Sequence, residues 1–156
     1  MKKIDWSKLL LSILLAQGAG GIGAIATTPK IATWYSTLTK PGFSPPNWLF
    51  GPVWTILFLM MGVAFYLVWM KGKRAHTALV IFGIQLVLNI LWSFLFFGAE
   101  SPGLALGEIM LLWWAIAATA INFEKISKTA GWLLMPYLFW VSFASVLNAA
   151  IFQLNK

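Results

Sequence analysis

The chain contains no cysteine, a single histidine and only four acidic residues among 156. Without cysteine there is no disulfide, no thiol nucleophile and no thiolate metal site. Asp5, Glu100, Glu108 and Glu124 form no evident carboxylate pair, and His76 stands in a basic stretch with no nucleophile or ligand beside it. Acid–base, nucleophilic and metal chemistry therefore have no visible apparatus, and neither a metal nor a cofactor is expected. Charge is scarce too. Charged residues make up 10 % of the chain against 60 % hydrophobic ones, which excludes an ordinary soluble domain.

What is present instead is long apolar runs. Five of them, about 9–26, 48–70, 77–97, 103–121 and 130–152, are long enough to cross roughly 30 Å of hydrocarbon as helices. None alternates with the two-residue period of a barrel strand, and each is about twice the length such a strand needs. The sequence thus predicts an all-α membrane protein, a five-transmembrane-helix bundle in one domain over 1–156, with a long structured loop between the first two helices. Lys2, Lys3 and the run 9–16 also fit a signal peptide. The apolar stretch continues through 22–26 to Pro29, however, which favours a first spanning helix.

The net charge of +7 resolves once the cations are placed. With five spans, one side carries Lys2, Lys3, Lys8, Lys71, Lys73, Arg74, Lys125 and Lys128, and the other only Lys30, Lys40 and Lys156. Eight against three puts the N-terminus in the cytoplasm and the first loop and C-terminus outside. The basic balance reads as topology and contact with the lipid bilayer, not as nucleic-acid binding.

One connection is long. The loop 27–47 is too apolar for disorder, with Trp34, Tyr35 and Phe43, and loops of that length in small proteins are usually functional. Pro41, Pro45 and Pro46 stiffen it into a strap across one mouth of the bundle, and Pro52 falls in the first turn of the second helix. Trp6, Trp34, Trp48, Trp69 and Trp132 lie near helix ends, as interfacial anchors do.

Trp54, Trp92, Trp113, Trp114 and Trp140 lie deeper. At about 1.5 Å per residue, Trp54, Asn89, Trp92, Glu108 and Asn148 fall roughly 6–12 Å below the loop end of their helices, and Trp140 about 18 Å. Gln85, Asn89, Trp92 and Phe96 share one helix stripe; Trp140, Ala144 and Asn148 share another. A chamber opening outward and walled by indoles, with two amides and a carboxylate, would take a flat hydrophobic molecule with a few polar groups. The competing reading is that Asn, Gln and Ser only bond neighbouring helices. It is preferred for Gln17 and Gln85, and the chamber for Asn89 with Trp92. Glu108 stands alone as an ionisable group well inside a span, a functional candidate by default; as a neutral carboxyl it could instead bond Asn148 or a backbone carbonyl as pure structure. The small residues of AQGAGGIGA, 16–24, suit close helix approach and fit no phosphate loop.

The segment GGIGAIATTPKIATWYSTLTKPGFSPPNWLFGPVWTILFLMMGVAFYLVW, 20–69, closely resembles the signature half of the tryptophan-rich sensory protein (TspO) family, whose mitochondrial members are called translocator protein. LNILWSFLFF (88–97), LGEIMLLW (106–113) and PYLFWVSFASVLNAAIFQLN (136–155) are similar to its third, fourth and fifth helices. The resemblance implies a five-helix bundle, generally a homodimer in bacteria, that binds porphyrins such as protoporphyrin IX and, in animal relatives, cholesterol and benzodiazepine-type ligands. The family's pocket positions match at Tyr35, Pro45, Trp54, Asn89, Trp92, Trp140 and Ala144, with Glu108 where relatives carry an acidic residue. Together with Asn148 these make the expected ligand-binding set. The resemblance also implies light-dependent porphyrin degradation in some members, which would make Trp54 and Trp140 catalytic. The family's sterol pattern needs a tyrosine where this chain has Phe152. Among receptor or regulator, translocase and light-dependent oxidase, a binder fits best: there is no charged pathway across the inner half and no inverted repeat.

Overall fold

The structure is a computed structural model that describes residues 4–156; Lys2 and Lys3, counted in the charge argument, lie outside the described residues. Helix α1 (Trp6–Ile31) starts at Asp5, whose side chain accepts the Lys8 N–H at 3.1 Å, the usual way an orphan first-turn donor is satisfied. It begins earlier and ends later than the expected 9–26, passing through Pro29 in its last turns. The connection that follows is correspondingly shorter, 32–46, and holds a one-turn helix, α2 (Trp34–Thr37). Pro46 ends this strap in extended backbone and caps α3 (Asn47–Trp69).

A 3-10 turn, Gly72–Ala75, leads into α4 (His76–Ser93), which runs on as a π turn over Phe94–Gly98. Ser101 caps α5 (Pro102–Ile126), with Pro102 in its first turn. Only Ser127 separates α5 from α6 (Lys128–Leu154), and its hydroxyl accepts the Ala130 N–H at 3.4 Å. That turn is tight because Gly131 lies against Glu124: a Cβ there would come within 2.7 Å of the Glu124 Cβ. Among the described residues, five helical stretches are long and apolar enough to cross a membrane.

The packing order closes a ring. α1 packs on α3, α3 on α6, α6 on α5, α5 on α4, and α4 back on α1. The interior is continuous at the end away from the strap, where Met61, Phe82, Ile116, Phe123 and Leu134 are all but fully buried. Phe82 and Phe123 stack there with centroids 5.6 Å apart. A second cluster, of Tyr35, Phe96, Phe97, Leu147 and Ile151, forms under the strap. Between the two clusters the ring is not filled. The outward faces are apolar: Leu10, Leu14, Ile25, Val87, Leu111, Phe139 and Val146 are all exposed, as expected where the surrounding solvent is lipid.

Candidate functional site

The unfilled space is a cavity of about 450 Å³, within the range of small-molecule sites. Its walls come from α1, the strap, α3, α4 and α6. Trp54 from α3, Asn89 and Trp92 from α4, and Trp140, Ala144 and Asn148 from α6 line it, with Tyr35 of α2 beneath the roof. Three indoles from three helices thus meet in one hollow. Each is fixed from behind. Trp54 stacks on Phe58 at 5.5 Å and meets Tyr137 edge-on at 6.0 Å. Trp92 stacks on Phe96 at 5.2 Å, and Trp140 packs against Phe50 and Phe143.

The polar groups of the wall are mostly spent on holding it. Trp92 Nε1 donates to Asn148 Oδ1 at 3.1 Å, and Asn148 Nδ2 donates to the Pro102 carbonyl at 2.8 Å. Deeper, Asn89 Nδ2 donates to the Tyr137 hydroxyl at 2.8 Å, which in turn donates to Gln85 Oε1 at 3.0 Å. Gln85 Nε2 lies 3.8 Å from the Met61 sulfur, and Gln17 Nε2 donates to the Thr55 carbonyl at 2.9 Å. Both glutamines thus bond across helices, although Gln17 also lines the cavity. The Trp92–Asn148, Asn89–Tyr137 and Tyr137–Gln85 bonds tie α4 to α6 and hold these wall side chains in place. Trp140 Nε1 is buried without a partner among the described residues.

Two expected residues stand elsewhere. Pro45 belongs to the strap but is not part of the cavity lining, where its near neighbours Asn47 and Phe50 are. Glu108 is 6 % exposed, but it does not line the cavity, and neither carboxyl oxygen has a hydrogen-bond partner among the described residues. The bond to Asn148 is not formed; that amide bonds Trp92 and Pro102 instead. In the ring α5 lies behind α4 and α6, whose cross-bonds close the wall in front of it, so depth along the helix did not translate into access.

The first helix makes a larger contribution than its sequence suggests. Gly20, Gly21, Gly23, Ala24, Thr27, Thr28 and Ile31 all line the cavity. Some of its small residues do serve packing. A Cβ on Gly20 would meet the Phe58 ring at 2.5 Å, and one on Gly23 the Ser93 hydroxyl at 3.0 Å. Phe97 is the other addition. The π turn sets Phe96 and Phe97 side by side at 4.9 Å, both in the lining and both against Trp34 and Tyr35. Trp34 is therefore a roof residue, whereas Trp6, Trp48 and Trp132 are about 70 % exposed on the exterior, as interfacial tryptophans would be. Trp113 donates to the Ser142 hydroxyl at 2.8 Å away from the cavity, and Trp114 faces outward.

Residues 12–154 match the model of the TspO/MBR family. The chain is 49 % identical to the tryptophan-rich protein TspO of Chlorobaculum tepidum over 96 % of its own length and 99 % of the relative's. It is 36 % identical to the tryptophan-rich sensory protein of Cereibacter sphaeroides, covering 97 % and 94 % of the two chains. With the human translocator protein it shares 41 % identity over 78 % of its length and 75 % of the relative's. A ring of five membrane-length helices around an indole-walled cavity, and relatives matched nearly end to end, lead to one assignment: the chain is a membrane protein of the TspO/MBR family.

Proposed function

We propose that the protein is a membrane receptor or regulator that binds a porphyrin, of the protoporphyrin IX type, or a related flat hydrophobic molecule in the cavity beneath the strap. The observation that carries this reading is the convergence of Trp54, Trp92 and Trp140 on one space of about 450 Å³. A planar macrocycle would gain apolar burial and ring–ring contact from indole faces held rigid by Phe58, Phe96, Phe50 and Phe143. Preorganised walls also lower the entropy cost of binding. The cations favour the strap on the outer face: Lys30, Lys40 and Lys156 lie at that end and the described remainder at the other. A homodimer is proposed from the family resemblance alone.

Titrating protoporphyrin IX into the detergent-solubilised protein tests this. Saturable quenching of tryptophan fluorescence at micromolar ligand is expected, with weaker binding in Trp54→Phe/Trp140→Phe. Linear, unsaturable quenching would refute it. The placement of Trp54 and Trp140 on neighbouring helices of the same lining favours a second reading, light-dependent porphyrin oxidation by dioxygen with these indoles beside the excited ring. Illumination of the complex in air would then bleach porphyrin faster than in the Trp54→Phe/Trp140→Phe variant; equal rates would exclude it.

A further inference from the structure

The cavity has two boundaries that a ligand could cross, and they are built differently. The roof is fastened. Thr39 N donates to Asn155 Oδ1 at 2.9 Å, and Asn155 Nδ2 donates back to the Thr39 carbonyl at 2.9 Å, so the last residues of the bundle hold the middle of the strap by a two-way amide pair. The same Nδ2 reaches the Ile151 carbonyl at 2.8 Å, which fixes its rotamer. On either side the Lys40 ammonium sits 4.5 Å from the Tyr35 ring centroid and Phe43 meets Phe143 at 6.3 Å. Tyr35 beneath is 5 % exposed.

The side between α1 and α3 is open by comparison. Gln17, Gly21, Ala24 and Thr28 recur at i, i+4, i+7 and i+11, a single stripe of α1, and Asn47, Gly51 and Thr55 form the facing stripe of α3. All line the cavity, and Gly21, Ala24, Thr28, Asn47, Gly51 and Thr55 are at the same time exposed. On α1 this stripe falls between the buried face of Ala16, Ala19 and Gly23 and the outward face of Leu14 and Ile25. It is therefore the rim of an aperture rather than the floor of a closed pocket. A Cβ added at Gly21 or at Gly51 would meet nothing within 4 Å, whereas further along the pair a Cβ on Gly62 would come within 2.7 Å of Ile13 Cα. The two helices thus touch backbone to backbone away from the strap and stand apart towards it. The Gln17–Thr55 bond crosses between them at the inner limit of the gap.

We propose that ligand moves between the bilayer and the cavity sideways, through the slot between α1 and α3 in the leaflet on the strap side, while the strap stays fastened by Asn155. The proposal rests on the reading that the cavity binds a flat hydrophobic molecule. Such a molecule concentrates in the membrane, and glycine and alanine edges let a plane ring pass that larger side chains would stop.

Stopped-flow tryptophan quenching tests it, with the full-length protein in phosphatidylcholine vesicles and protoporphyrin IX delivered in a second vesicle population. Gly21→Leu/Gly51→Leu narrows the slot without a clash, Gly18→Leu is the control on the same helix with equally open space and no place in the lining, and Asn155→Ala unfastens the strap. Association and dissociation are both expected to slow about tenfold or more in the slot variant, a barrier rise of roughly 1.4 kcal/mol, and to change less than about twofold in the other two. Leucines that merely filled the site would slow association while speeding dissociation, and that result overturns the proposal. So does native speed in the slot variant together with about tenfold acceleration in Asn155→Ala, which would route the ligand under the strap. Absence of saturable quenching in the unaltered protein would remove the binding reading itself, and the passage with it, and is distinguishable because it needs no variant.

Discussion

Tyr137→Phe removes one oxygen and leaves two buried polar groups stranded. The hydroxyl accepts from Asn89 at 2.8 Å and donates to Gln85 at 3.0 Å, and all three residues are at most 6 % exposed. Among the described residues Asn89 has no other acceptor for that N–H, and Gln85 Oε1 no other donor. In water-soluble proteins each stranded group would cost about 1–3 kcal/mol. Interhelical bonds in membranes average nearer 0.6 kcal/mol, with a maximum near 1.7, because the unfolded helices also find partners. Two bonds at those values give a loss of roughly 1–3 kcal/mol, with almost no change in packing because the ring is kept. Reversible unfolding in mixed micelles of increasing SDS content measures it. A double-mutant cycle with Asn89→Leu should return a coupling energy of about 0.5–1.5 kcal/mol. Stability within 0.3 kcal/mol of the unaltered protein, roughly the error of such a cycle, would refute the network as a structural element.

Gly62→Ala should destabilise by about 1–3 kcal/mol, since its Cβ would meet the backbone of Ile13 at 2.7 Å, while Gly18→Ala, whose Cβ meets nothing, should be neutral or stabilise by up to about 1 kcal/mol; thermal melts of both in one detergent decide. Burial holds the Tyr35 phenol above its ordinary value of 10.0. The folded state then keeps a proton that the unfolded chain releases, so stability is full below pH 10 and falls as pH rises beyond it. Tyr35→Phe should flatten that alkaline loss, followed by melting between pH 9 and about 11. Ala144→Phe places a ring in the lining beside Trp140 and should weaken porphyrin binding by about tenfold or more, read from the quenching titration, with the melting temperature changed little.

The architecture was legible because membrane-length apolar runs leave the backbone no alternative to helix. The stripes of α4 and α6 carried over residue by residue, and Asn89, Trp92, Trp140, Ala144 and Asn148 stand in one lining. Glu108 shows the limit of that method. Rise per residue gives depth but not which neighbour a face meets, and only the ring order puts α5 behind α4 and α6. Gly21 and Ala24 show a second limit: small residues serve equally for close packing and for leaving a gap, and the sequence does not tell the two apart. The π turn at Phe94–Gly98 has no proline or other marker, so the pairing of Phe96 with Phe97 could not be read in advance. Pro29 did not stop α1, which runs through it to Ile31 without the hydrogen bond that an N–H at this position would make to the Ile25 carbonyl.

A crystal structure of the protein grown with protoporphyrin IX tests the central claim most directly. The macrocycle is expected within the ring of helices, in contact with Trp54, Trp92 and Trp140 and roofed by residues 32–46. Porphyrin bound on the lipid-facing exterior, with the three indoles facing an unoccupied hollow, would contradict it.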